Sequence, residues 1–104
     1  MKQGTTPTIL LTIENQDLSD KRIYVTFRHG AKLIIKTNDS MRVTYNDPDT
    51  VLAVLLTQQE TLAFFPGQIS VDVRWIDSDG TALGTEIATI NVTEALLKQV
   101  ITYD

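Results

Sequence analysis

The chain has 104 residues, of which 42% are hydrophobic and 21% charged; its formal net charge is −4 and it contains no cysteine. These totals exclude a disordered tail, a disulfide-stapled scaffold and thiolate chemistry, and they predict one domain with its own core. No apolar run approaches the length of a membrane span, and residues 1–7 lack the apolar core of a signal peptide. The net acidity argues against general binding to nucleic acid.

Short alternating or apolar runs, separated by turn residues, predict about seven strands at the spacing typical of a β-sandwich or small barrel. The polar residues 1–7 before them are expected to form a flexible lead-in, so that residues 8–104 make a single β-sandwich domain. The predicted strands are Thr8–Glu14, Arg22–Arg28, Lys32–Thr37, Met41–Tyr45, Val51–Leu56, Gln68–Trp75 and Ala82–Val92.

The centre of the sequence predicts a strand, a helical turn and a second strand. Val51–Leu56 is almost entirely apolar, which is typical of a strand buried on both faces. Thr57 and Glu60 have the spacing of a capping box and predict a helical turn over residues 57–63, which Pro66-Gly67 ends. Apolar and polar residues then alternate strictly in the next strand, so one face of that strand is expected to be buried.

The register of the second and third strands is predicted from their apolar pattern. A two-residue loop at His29-Gly30 would place Phe27 beside Lys32 and mix the two faces. A three-residue loop instead pairs Phe27 with Leu33 and aligns the other apolar positions, including Ile35. Because a slip of one residue turns every side chain to the other face, the pattern favours the three-residue loop.

Two features are predicted near the carboxyl end of the sequence. The apolar parity of Ala82–Val92 shifts near Thr89-Ile90, which predicts a β-bulge at that point. Thr93 and Glu94 are suitable residues for the start of a helix, and a short helix is expected over Ala95–Val100.

Together these elements predict an all-β fold, namely an immunoglobulin-like two-sheet β-sandwich of about seven strands with one helical turn between the central strands. The side chains expected in the core share the inward parity of their elements. They are Ile9, Leu11, Ile13, Ile23, Val25, Phe27, Leu33, Ile35, Val54, Leu56, Leu62, Ile69, Val71, Val73, Trp75, Ile90 and Val92.

Basic residues are concentrated in the second and third predicted strands. Six of the nine Lys and Arg residues lie between positions 21 and 42, beside the single acid Asp39. Like charges on one sheet face repel each other, and an acidic partner surface would relieve that repulsion; a solvated face is the alternative. The residues predicted to bind a partner are Arg22, Arg28, Lys32 and Lys36.

Residues able to carry catalysis or hold a metal are scarce. His29 is the only histidine, lies in a predicted turn and has no cysteine to join it, so neither a catalytic triad nor a zinc site is expected. Asp77-Ser-Asp-Gly80 starts like a calcium loop but lacks the later acids, which favours a turn between strands. We therefore expect no enzyme activity, no metal and no cofactor.

Three groups of residues carry a resemblance to a known family: Gly4–Thr8, Leu56–Leu62 with Ile69–Arg74, and Asp79–Leu83. In order and spacing they resemble small proteins encoded in prophages of Gram-positive gut bacteria and Firmicutes, often near tail or baseplate genes. The resemblance spans nearly the whole chain, although members often read Gln-Val-Arg in place of Asp72-Val73-Arg74 and often carry cysteines. No catalytic residues accompany the family, so the resemblance implies a virion or phage-assembly component.

The resulting hypothesis is a non-catalytic structural or assembly protein of a phage or prophage, associated with the tail or baseplate and acting through protein–protein contacts. Its expected partners are other phage structural proteins and further copies of itself, with neither nucleic acid nor membrane involved. It would occur in the virion or, during assembly, in the bacterial host cytoplasm. The alternative is a β-sandwich that binds carbohydrate or a cell surface, which would need exposed aromatic residues clustered on one face.

Overall fold

The computed structural model describes all residues from 1 to 104. Strands make up most of its regular structure. A 3-10 turn (Asn38–Ser40) and one short helix, α1 (Gln58–Leu62), lie between strands. The strands are β1 (Thr8–Ile13), β2 (Arg22–His29), β3 (Lys32–Thr37), β4 (Met41–Asn46), β5 (Asp49–Leu55), β6 (Gly67–Ile76), β7 (Ala82–Gly84) and β8 (Ala88–Val92). Each predicted strand is present, the last one as the pair β7 and β8.

The strands form two antiparallel sheets. The smaller sheet has the order β1-β5-β4, and the larger has the order β3-β2-β6, with β7 and β8 both paired to β6. The chain crosses between the sheets after β1, β3 and β5. In this order β1, β5 and β4 take the places of immunoglobulin strands B, E and D, while β3, β2, β6 and β7–β8 take those of C′, C, F and G. The predicted immunoglobulin-like β-sandwich is therefore confirmed.

The core lies between the sheets and is filled from the inward-facing positions of both. One cluster contains 14 buried hydrophobic residues, and most of the predicted core belongs to it, including Trp75 and Val71. Three members were not predicted, namely Leu18, Leu52 and Phe64.

Leu18 belongs to a loop rather than to a strand, yet it is fully buried. The buried hydroxyl of Thr50 holds this loop: it accepts the Leu18 N–H at 3.1 Å and donates to the Gln16 carbonyl at 2.6 Å. Because this anchor lies 32 residues away in the chain, no local pattern indicates it.

The register of the β2–β3 hairpin corrects the sequence prediction. The loop consists of Gly30-Ala31, so Phe27 pairs with Ile34. The three-residue loop is wrong, and so are the core assignments of Leu33 and Ile35, which are 53% and 57% exposed. Gly30 has a φ of 58°, and a tight hairpin turn requires such a left-handed residue.

Strand β5 has only one buried face. Leu52 and Val54 are fully buried, whereas Leu55 points outward and is more than half exposed. The prediction of a strand buried on both faces is wrong because the smaller sheet covers the core from one side only.

The predicted helical turn is α1, and its capping box is present. The Thr57 hydroxyl accepts the Glu60 N–H at 3.1 Å, and the Glu60 carboxylate accepts the Thr57 N–H at 2.8 Å. The turn connects β5 of the smaller sheet to β6 of the larger one, and Phe64, just beyond it, is buried in the core.

The irregularity of the last strand lies between β7 and β8. Arg74 pairs with Gly84 and Val71 with Ala88, so this segment holds one more residue than β6 opposite it. The extra residue lies within Thr85–Ile87, not at Thr89-Ile90 as predicted. The Thr85 N–H donates to the Val73 carbonyl at 2.9 Å, and its hydroxyl accepts the Val73 N–H at 3.1 Å.

The first three residues pack against the sandwich, whereas residues 1–7 are predicted to be a flexible lead-in. Gln3 N–H donates to the Thr93 carbonyl, and Thr93 N–H donates to the Met1 carbonyl. The Gln3 side chain is buried and donates to the Phe64 carbonyl at 2.6 Å. These bonds give Met1–Gln3 a defined place beside the end of β8.

The segment after β8 is irregular, so the predicted helix over Ala95–Val100 is wrong. Two points hold it: Gln3 accepts the Ala95 N–H and the Lys98 ammonium, and Gln58 exchanges two hydrogen bonds with the backbone of Ile101. Neither helical segment is long and apolar enough to span a membrane.

Candidate functional site

The four basic residues predicted to bind a partner do not lie on one face. Arg22 and Arg28 are exposed on the outer face of β2, and Lys32 is exposed at the start of β3. Lys36 points inward and is only 8% exposed, because the two-residue loop shifts β3 by one position. The same shift places Leu33 and Ile35 on the outer face instead.

The outer face of the larger sheet forms a groove with an apolar wall on each side. Its floor consists of the outward-facing side chains of the central strands β2 and β6, where the short Thr26 and Ser70 alternate with the charged Arg28 and Asp72. Leu33 and Ile35 on the edge strand β3 form one wall, since they pair with the Arg28 and Thr26 positions. Ile87, between β7 and β8, lies on the other side. We call this surface, formed by Thr26, Ser70, Leu33, Ile35 and Ile87, the open groove.

The strand spacing sets the width of the open groove. Strands β2 and β6 separate β3 from β8, so three spacings lie between the walls. At about 4.8 Å per spacing, the strand backbones that carry the two walls are about 14 Å apart. A helix or a single strand of another chain has a suitable width for this space.

Two depressions indent the open groove and its margins. The first measures about 130 Å³ and is lined by Arg28, Leu33, Asp72 and Ile87, among others. The second measures about 340 Å³ and is lined by Tyr24, Ile35, Arg74 and Ile76, among others. Both are open to solvent, which is less typical of a catalytic cavity than of a surface covered by another macromolecule.

The charge at the open groove is mainly positive. Arg28 on β2 and Arg74 on β6 are exposed between its walls, and the half-buried acid Asp72 lies next to Arg74 along the outer face of β6. Arg74 was missed by the sequence analysis because it lies on β6, outside the basic segment of residues 21–42. Only the pairing of β2 with β6 brings it beside Tyr24.

Lys36 has a structural partner rather than an external one. Its ammonium lies 2.7 Å from the Glu60 carboxylate, and the two side chains are 10% and 25% exposed. Burial raises the pKa of Glu60, but the hydrogen bonds from Lys36 and the Thr57 N–H, with the charge of Lys36, outweigh it and lower the pKa. This pair ties the edge strand β3 to α1.

Other polar groups satisfy one another inside the fold. Every buried side-chain nitrogen or oxygen has a hydrogen-bond partner, and no three His, Asp or Glu side chains converge as metal ligands would. His29 contacts the exposed Phe65 ring edge-on, with 5.0 Å between the ring centres. The Asp77 carboxylate accepts the N–H groups of Asp79 and Thr81, within the turn between β6 and β7.

Comparisons with known proteins add little to this description. No protein-family model matches the chain, and no curated protein matches it. Among solved structures, murine CRIg is similar to this chain with a TM-score of 0.37 and 11% sequence identity, over 91% of this chain and 89% of that chain. A likeness at this level carries no conclusion about function. Strand order and the open groove together define an immunoglobulin-like module that exposes the apolar side chains of Leu33, Ile35 and Ile87 on the outer face of its larger sheet.

Proposed function

We propose that the chain is a non-catalytic structural or assembly protein that acts through protein–protein contacts made by the open groove. The observation that carries this proposal is the exposure of both walls: Leu33, Ile35 and Ile87 are each more than half exposed. Single exposed apolar residues are common, but a patch of them on one face is typical of an interaction site. Covering this patch would be favourable by about 25 cal/mol for each Å² of apolar surface removed from water.

The arginines of the open groove support a protein partner and indicate its chemistry. Arg28 and Arg74 lie beside the apolar walls, and arginine is enriched in the contact residues of protein interfaces. A partner that presents apolar side chains with carboxylates at their edge would complement this surface.

Phage assembly is the setting that the sequence resemblance implies. In that setting the module is part of the tail or baseplate, or assists its assembly, and its partners are other phage structural proteins and further copies of itself. It then resides in the virion or, before completion, in the host cytoplasm. An immunoglobulin-like sandwich that exposes apolar side chains on the outer face of a sheet is suited to such repeated contacts.

The proposal is tested by following the protein into particles. After prophage induction in the source strain, particles and assembly intermediates are purified and their proteins identified by mass spectrometry. We expect the unaltered chain in these fractions and the Ile35→Asp variant in the soluble fraction, because a buried unpaired carboxylate at the interface opposes assembly.

Leu10→Asp is the matched control for this experiment. Leu10 is 67% exposed on the outer face of the smaller sheet, so the substitution changes charge equally but leaves the open groove intact. This control should enter particles normally. Absence of the unaltered chain from every particle fraction, or normal assembly of the Ile35→Asp variant, would refute the proposal.

Carbohydrate binding, the alternative, has less support. Tyr24, Tyr45 and Phe65 are exposed but belong to β2, β4 and the segment before β6, and Phe65 already contacts His29. Sugar recognition by stacking usually needs aromatic rings grouped on one surface. A glycan array with the unaltered protein and Tyr24→Ala would reveal binding that depends on the groove.

A further inference from the structure

A second uncovered apolar surface lies in residues 94–103, here called the C-terminal arm. Five of its side chains are large and apolar, and the structure leaves Leu96 95% exposed and Tyr103 completely so. The other three, Leu97, Val100 and Ile101, are about half exposed. So much apolar surface on a short irregular segment is unfavourable in water, and a partner surface would cover it.

The arm has the pattern of an amphipathic helix although it is not helical here. With about 100° between successive residues, Leu96, Leu97, Val100, Ile101 and Tyr103 fall within an arc of about 160°, whereas Lys98, Gln99 and Thr102 lie opposite. Helices shorter than about 12 residues are rarely stable alone in water. The arm would therefore become helical only against an apolar surface.

We propose that the C-terminal arm of one copy folds into a helix and binds in the open groove of a second copy. This inference rests on the proposed function and names its partner. A helix with its side chains is about 10–12 Å wide, and the strand backbones that carry the groove walls are about 14 Å apart. The apolar face of the helix would then contact Leu33, Ile35 and Ile87, while its polar face remains in water.

The charges at the two surfaces also match. The arm with Asp104 has two acids, Glu94 and Asp104, against one lysine, Lys98, which lies 3.4 Å from Glu94. The groove has two arginines, Arg28 and Arg74, against one acid, Asp72. Opposite charges at the margin of an interface orient the partners and increase the rate of association.

The position of the arm favours a second copy over the arm's own groove. Gln58 holds Ile101, and Val100 lines a surface depression together with Leu55, whose side chain points out from the smaller sheet. The arm therefore lies toward the opposite side of the sandwich from its own open groove. Each copy can give one arm and receive another, and such head-to-tail contacts build rings or chains of copies.

Disulfide trapping tests this contact directly because the natural chain contains no cysteine. Two single variants, Leu96→Cys and Ile35→Cys, are mixed and oxidised, and the products are separated without reductant. We expect a covalent dimer whose linked peptides contain positions 96 and 35. Leu10→Cys replaces Ile35→Cys in the control and should give no such product, since Leu10 is also more than half exposed but lies on the other sheet.

Sedimentation velocity over a range of concentrations gives the second readout. We expect the natural chain to self-associate, with helical circular dichroism increasing in parallel. Leu96→Asp, Tyr103→Asp and Ile35→Asp should each weaken association by about tenfold or more, since each removes one large apolar contact. The three sites are exposed in the single copy, so thermal melting should show that the variants remain folded.

Several outcomes would overturn the proposal. A chain that stays monomeric at every concentration has no such contact. A double variant, Leu96→Cys with Ile35→Cys, that closes its disulfide within one copy would place the arm on its own groove. If Ile35→Asp weakens association but Leu96→Asp and Tyr103→Asp do not, the arm is not the segment that binds the groove, and the proposed function remains intact. The proposed function would be refuted by a different result, namely normal assembly of the Ile35→Asp variant into particles.

Discussion

Strands β6 and β3 lie in the same sheet but have opposite relations to the core. β6 is paired on both sides and buries Ile69, Val71, Val73 and Trp75 along one face. β3 is paired only with β2, exposes Leu33 and Ile35, and buries Lys36. A central strand is held by neighbours on both edges, whereas an edge strand can give up burial to other demands.

The arrangement of β3 has an energetic cost that folding alone does not require. Leu33 and Ile35 would be favourable in the core, and a buried lysine loses much of its hydration. The Glu60 carboxylate lies 2.7 Å from the Lys36 ammonium and offsets the hydration that this lysine loses on burial. Buried ion pairs, however, rarely stabilise a fold more than apolar contacts do. Uncovered apolar residues on β3 are better explained by a partner, and this supports the open groove as the contact surface.

The largest expected effect on stability comes from a carboxylate placed on the buried face of β6, and the same change on the exposed face of β3 is its control. Val71→Asp should unfold the domain, because a carboxylate without a counter-ion would be buried in the core at a cost comparable with a total stability of about 5–15 kcal/mol. Ile35→Asp should change stability by only about 0.5 kcal/mol, since the site is exposed. Urea unfolding followed by tryptophan fluorescence measures both. Equal destabilisation by the two variants would mean that β3 has the register predicted from the sequence.

Removing one member of the ion pair should have the next largest effect. Glu60→Gln leaves the Lys36 ammonium buried without a counter-charge and weakens the α1 capping box, so we expect a loss of about 2 kcal/mol in the free energy of unfolding. Lys36→Met should cost less, because the Glu60 carboxylate that it leaves unpaired is more exposed and still accepts the Thr57 N–H. When Lys36 is already replaced by Met, Glu60→Gln should lower the free energy of unfolding clearly less than it does in the natural chain. An equal loss in both backgrounds would show that Lys36 and Glu60 do not stabilise each other.

The hairpin turn provides a smaller test of what sets the β3 register. Gly30 has a positive φ and no heavy atom within 4 Å of an added Cβ, so Gly30→Ala introduces backbone strain without a steric clash. We expect a loss of about 1 kcal/mol. Gly30→Asn should lose less, because asparagine tolerates this conformation better. If both substitutions were neutral, the turn would not be what holds the two-residue loop.

Acid should weaken the same ion pair gradually. The pKa of Glu60 is lowered on folding, so its contribution to stability is complete above the ordinary value of 4.5 and is lost as the pH falls through the lowered pKa. The difference in melting temperature between the natural chain and Glu60→Gln should therefore be constant near neutral pH and shrink in acid. A difference that persists unchanged at low pH would indicate that the carboxylate charge contributes nothing.

Local chemistry made several features of this protein predictable. The strict alternation of β6 has only one arrangement that buries Val71 and Trp75 together, and the capping box of Thr57 and Glu60 forms within a single turn. The succession of short strands, joined by turn residues, was sufficient for the sandwich class. In each case the decisive contacts are between residues close in the sequence, or they follow from the period of one element.

The tertiary structure alone decided the candidate site and the core residues supplied by loops. The register of β3 depends on the Gly30 turn and on Glu60, which is 24 residues from Lys36; the burial of Leu18 depends on Thr50. The helical pattern of residues 95–100 did not produce a helix; hydrogen bonds to Gln3 and Gln58, which are distant in the sequence, hold this segment in an irregular conformation. Sequence alone determined which faces could be apolar, but the packing of distant segments determined which of them the folded chain leaves uncovered.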